Sequence, residues 1–185
     1  NNVNSICRDW EGNLWVGTYQ GGLDVLKKGA DKFEHITNNP KDSRSLVNNS
    51  VYALLEDKNG DLWIGTYGGG LNVKRKKSGT QTFDLYSLEN GGITANHIRV
   101  IYEDSQHNLW VGTQNGLNLK RKGSNTFEFF KNEPENPRSI SGNLIISIYE
   151  DSNKNIWVGT YKDGLNKFDL RTGSFTHYNE EDGLP

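Results

Sequence analysis

Apolar and polar residues alternate with a period of two over short stretches of this chain, the pattern of a half-buried strand. Val51 to Glu56 is one such stretch, and Val3 to Arg8, Ile98 to Glu103 and Ile145 to Glu150 echo it. Matching places in these first strands hold Ser5, Ala53, Val100 and Ser147, side chains small enough for a crowded inner strand. A second strand is predicted at Leu62-Trp63-Ile64-Gly65-Thr66, and a third from Gly70-Leu71-Asn72-Val73. A fourth is centred on Phe83, with Phe33, Phe127 and Phe175 as its counterparts. The glycine and β-branched content of WIGT and WVGT opposes a helical repeat of similar length.

The strand pattern recurs as a unit. Trp15, Trp63, Trp110 and Trp157 stand 48, 47 and 47 residues apart, and Asp9, Asp57, Asp104 and Asp151 keep that spacing. Four short strands in a unit of about 40 to 50 residues mark a propeller blade. The expected fold is all-β, a β-propeller segment of four-stranded antiparallel blades at about 1–38, 49–88, 96–131 and 143–179. The two chain ends match parts of one inter-blade connection, so the segment reads as a piece of something longer. Four blades alone are expected to close into a compressed ring or to pair with a second copy as eight.

Composition agrees with a folded, aromatic-rich β protein: five Trp, eight Tyr and seven Phe supply apolar surface within 185 residues. A net charge of -2 gives no global drive toward nucleic acid or anionic membrane. The single Cys7 forms no internal disulfide. No apolar run approaches the roughly 20 residues of a membrane span. No HExxH, CxxC, GxSxG or phosphate-loop motif occurs, and the four histidines form no metal set, so neither metal nor cofactor is expected.

Repetition decides how the acidic residues are read. A catalytic pair of carboxylates must meet at one place, whereas Asp9, Asp57, Asp104 and Asp151 are distributed one per blade. An Asp at the turn between strands one and two accepts backbone N–H bonds, and this is the role expected for all four. Trp15, Trp63, Trp110 and Trp157 are expected to fill the space between blades, where Gly17, Gly65, Gly112 and Gly159 permit close approach. Trp10 occurs once and reads either as a contact surface or as an ordinary exposed aromatic.

Ligand contacts are sought on the face carrying the loop after strand two and the connection between blades. Tyr19, Gln20, Tyr67, Gln114, Tyr161 and Lys162 lie there, together with Arg44, His97 and Arg138. Tyrosines with amide and guanidinium partners suit a sugar, through stacking and bidentate hydrogen bonds. The other face collects Lys27-Lys28, Lys74-Arg75-Lys76-Lys77 and Lys120-Arg121-Lys122, expected as solvated charge that also discourages strand pairing.

The string D-x-x-G-x-L-W-I/V-G-T followed by G-L-N and F-x-x-Y, with the D-G-L-P ending, resembles the two-component regulator propeller repeat, over essentially the whole chain. His107 and Lys154 depart from it, standing where the motif has the turn glycine held by Gly12 and Gly60. The resemblance implies a non-catalytic, periplasmic sensor region of a hybrid two-component system, anchored through its parent in the inner membrane. Such regions detect oligosaccharides from polysaccharide breakdown and signal to a histidine kinase, which makes an oligosaccharide and a second copy the expected partners. A scaffold with no small ligand and a propeller glycosidase or lyase are the rival readings.

Overall fold

The computed structural model describes residues 2–78 and 82–184. Its strands group into four antiparallel sheets, each of four consecutive strands in chain order. Blade one holds β1 (Val3–Arg8), β2 (Leu14–Thr18), β3 (Gly22–Leu26) and β4 (Glu34–Ile36). Blade two holds β5 (Val51–Glu56), β6 (Leu62–Thr66), β7 (Leu71–Lys74) and β8 (Asp84–Tyr86). Blade three holds β9 (Ile98–Glu103), β10 (Leu109–Thr113), β11 (Gly116–Lys120) and β12 (Glu128–Phe130). Blade four holds β13 (Ile145–Glu150), β14 (Ile156–Thr160), β15 (Leu165–Asp169) and β16 (Ser174–Tyr178). The fourth strand is displaced from its expected centre in three blades: Phe33, Phe83 and Phe127 stand just before it, and Phe175 alone lies inside.

β1, β5, β9 and β13 run side by side along the inner edge, so the blades fan out as an arc. Each boundary between consecutive blades carries its own apolar core. Trp15, Leu23 and Val25 pack with Val51, Leu62 and Ile64; Trp63 and Val73 pack with Ile98, Ile101 and Val111; Trp110 and Leu119 pack with Ile145, Ile148 and Val158. Among the described residues no core joins blade four to blade one, and the expected compressed ring is not formed. Trp157 accordingly rests on its own blade, 5.4 Å from the Tyr178 ring and 5.6 Å from the Lys167 ammonium.

The recurring string is a set of separate devices. The Asp57 carboxylate accepts the backbone N–H of Asn59 at 2.9 Å and of Asp61 at 3.0 Å, and its second oxygen accepts the Trp63 indole N–H at 2.8 Å. Asp9, Asp104 and Asp151 hold Trp15, Trp110 and Trp157 at the same 2.8 Å. These bonds keep two carboxyls acidic. Burial works against ionisation of Asp9, yet the donors from Trp15 and Asn13 hold its pKa below the usual range. At Asp151 the Trp157 and Asn155 donors bring it to about 2. The Thr66 hydroxyl closes the next turn on the Gly70 carbonyl at 2.8 Å. A Cβ on Gly65 would stand 2.5 Å from Ile98 Cγ2, so that glycine is what lets the next blade approach.

A further device lies at the ends of the first strands. Glu56 accepts from the Trp10 N–H at 2.7 Å, Glu103 from the Lys58 N–H at 3.0 Å, and Glu150 from the Ser105 N–H at 2.7 Å, each across a blade boundary. Blade one carries Arg8 in that place. His107 and Lys154 keep the turn geometry without glycine: their φ of 67° and 65° are left-handed, like 91° at Gly12 and 80° at Gly60.

Candidate functional site

Every first strand contains a β-bulge near its start. The pairing skips Asn4 between Val3 and Ser5, Tyr52 between Val51 and Ala53, Arg99 between Ile98 and Val100, and Ile146 between Ile145 and Ser147. A bulge re-aims the skipped side chain and is a common neighbour of binding sites. The strand-two to strand-three loops are tied to the same end of the blades. Tyr19 N–H donates to the Asn2 carbonyl, Tyr67 N–H to Ser50, Gln114 N–H to His97 and Tyr161 N–H to Leu144, at 2.8 to 3.1 Å.

These constraints bring an aromatic row together at the inner edge of blades one to three. Tyr19 meets Tyr52 edge-on at 6.5 Å, Tyr52 stacks on Tyr67 at 5.3 Å, and Tyr67 stacks on His97 at 4.1 Å. The Arg99 guanidinium lies 5.8 Å from the Tyr52 ring centre and 5.6 Å from that of Tyr67. Beside it opens a cleft of about 640 Å³ bordered by Thr94, Asn96, His97, Arg99, Gln114 and Asn115. That volume is within the range of small-molecule sites, about 300–1,000 Å³. Tyrosine edges, the Gln114 and Asn115 amides, which make no side-chain hydrogen bond among the described residues, and a guanidinium are chemistry suited to a polar ligand.

Of the residues marked in the sequence, Tyr19, Tyr67, His97 and Gln114 belong to this cluster. Gln20 flanks it in the left-handed region, φ 64°, its N–H on Ser50 Oγ. Arg44 and Arg138 do not join it. Their carbonyls accept from Phe83 and Phe175 beside the outermost strands, and Arg44 turns back to Asp42 at 3.3 Å. Tyr161 and Lys162 form a separate pair, with the ammonium 5.3 Å from the ring centre, and Lys162 borders another cleft with Asp163 and Glu180. Tyr52 and Arg99 were missed, because alternation along a strand gives no sign of a bulge.

The opposite face is partly neutralised. Arg75 bonds Asp61 at 2.9 Å and Asp84 at 3.0 Å and covers the Trp63 ring, Arg121 bonds Glu128 at 2.6 Å, and Lys27 bonds Glu34 at 2.8 Å. Trp10 is exposed there under the Lys58 ammonium. No group of three or more His, Cys, Asp or Glu side chains among the described residues is arranged to hold a metal ion. No helix among them is long and apolar enough to cross a membrane.

A family model for the two component regulator propeller matches residues 1–20, 45–68, 92–115 and 139–162. No curated protein sequence matches the chain. Among solved structures, the extracellular domain of a B. thetaiotaomicron protein described as a hybrid two component system is 28% identical, with a TM-score of 0.76 over 100% of this chain. This chain spans 23% of that one. Virginiamycin B lyase from Staphylococcus aureus is 16% identical, TM-score 0.68, over 96% of this chain and 55% of the lyase. An ancestral GH74 enzyme is 17% identical, TM-score 0.66, over 90% of this chain and 22% of the enzyme. The last two likenesses speak to the propeller fold alone.

Proposed function

Because the chain belongs to the two-component regulator propeller repeat family, we propose that it is an extracytoplasmic sensor segment whose inner aromatic edge binds an oligosaccharide. The observation that carries this reading is the row Tyr19, Tyr52, Tyr67 and His97 with Arg99 laid against it. The likeness to the extracellular domain from B. thetaiotaomicron supports the compartment and the signalling role. In this reading the parent is anchored in the inner membrane, the segment faces the periplasm, and binding is relayed to a histidine kinase without chemistry on the ligand. A ligand shifts only states that it binds unequally, so occupancy must alter how the blade arc meets a neighbouring blade or a second copy.

The four repeated Asp side chains support the binding role over a catalytic one, since each is committed to a Trp indole and to turn N–H groups. Calorimetric titration with a panel of oligosaccharides tests the proposal. Saturable heat without product in the cell supports a sensor. Product formation would revive a glycosidase or lyase, and silence across the panel with tight self-association would leave a scaffold.

A further inference from the structure

Arg99 is half-buried beside two stacked tyrosine rings, and its guanidinium makes no hydrogen bond or ion pair among the described residues. Its Nε is shielded from solvent without a partner, and so is Nδ1 of His97. Every other boundary of the cleft is neutral: Gly68, Leu88, Thr94, Ala95, Asn96, Gln114, Asn115 and Leu144 carry no carboxylate. Glu89, next to Leu88, accepts the Asn96 amide at 2.7 and 3.0 Å and is kept ionised by it, and it makes no bond to Arg99. A shielded N–H without an acceptor is costly, and a planar guanidinium fork matches an oxyanion bidentately.

We propose that this cleft holds the oxyanion of an acidic sugar, a uronate carboxylate or a sugar sulfate, on Arg99, with the stacked Tyr52 and Tyr67 rings holding the guanidinium in place. The proposal rests on the reading of the inner edge as the ligand site. Because Tyr67 is stacked on both Tyr52 and His97, the tyrosines position Arg99 and offer a sugar their exposed edges. The unpaired guanidinium provides the charge preference. Gln114 and Asn115 are left to read hydroxyl groups.

The test titrates the protein and its Arg99→Gln, Arg99→Lys and Tyr67→Ala variants with three probes of matched length: an oligogalacturonate, a sulfated disaccharide and a neutral oligosaccharide. Thermal melts of each variant confirm folding. The expected result is binding of at least one acidic probe, weakened at least tenfold by Arg99→Gln and partly restored in Arg99→Lys, with affinity falling as salt rises. Preference between the two acidic probes tells carboxylate from sulfate. Equal binding of the neutral probe, with Arg99→Gln silent and Tyr67→Ala weakened, would overturn the acidic class and leave the site standing. Binding to none of the three, or binding indifferent to both Arg99 and Tyr67, would overturn the site as well.

Discussion

The Trp10 backbone N–H donates to the Glu56 carboxylate at 2.7 Å, so the turn of one blade is fastened by the strand of the next. Burial pushes the Glu56 pKa up, against the lowering effect of that same bond. A raised carboxyl pKa favours the folded state below the unfolded value and turns unfavourable as pH rises through the folded one. Glu56→Gln keeps an acceptor and discards the buried charge, so it should leave neutral-pH stability within about 0.5 kcal/mol. Glu56→Ala strands the Trp10 N–H and should cost about 1–2 kcal/mol. Urea unfolding of both variants reads the difference.

Acid should act in the opposite sense on the repeated Asp. With Asp9 held low and Asp151 at about 2, their contribution is complete above the unfolded pKa of about 4 and is lost as pH falls toward 2. Tryptophan fluorescence should report the loss, because each carboxylate is an indole partner. Asp151→Asn should flatten the pH dependence of the unfolding midpoint in that window. An unchanged slope would mean the bonds are not kept in solution.

Two glycine exchanges should move stability in opposite directions. Gly65→Ala forces a methyl against Ile98 and should cost about 1–3 kcal/mol through overpacking. Lys154→Gly removes a side chain from an exposed left-handed position, φ 65°, and should stabilise by about 1 kcal/mol. Chemical denaturation at neutral pH measures both.

For the ligand, the geometry separates arginines that the sequence grouped. Arg44→Ala and Arg138→Ala, at the outer strands, should leave oligosaccharide affinity unchanged, whereas Tyr67→Ala should weaken it by about 1–3 kcal/mol by removing the ring that packs Tyr52, His97 and Arg99 together. An effect of Arg138→Ala as large as that of Tyr67→Ala would relocate the site.

The first three strands of each blade were legible because the chain writes the same strand, turn and packing residues four times, and the period needs no tertiary information; the short fourth strands begin just after the phenylalanine expected at their centre in three blades. The boundary role of Trp63 followed from the same repetition. What could not be read was where a connection runs after it leaves its strand. Arg44 and Arg138 share a loop face with Tyr67 in sequence, but hydrogen bonds to Phe83 and Phe175 draw them outward. Arc closure was also beyond the sequence, since it depends on the angle between blades rather than on any residue pattern. His107 and Lys154 were flagged for lacking glycine, yet the Asp104 and Asp151 networks suffice to hold each turn.

The skipped residue of each first strand has no partner on the adjoining strand, and so escapes the pairing that fixes its neighbours. Asn4, Tyr52, Arg99 and Ile146 are four unlike side chains in one backbone slot. Copying a blade therefore keeps the strand pairing while leaving the side chain at that slot open to change. The constancy of the blade and the variety of its inner surface are kept on different residues of the same strand.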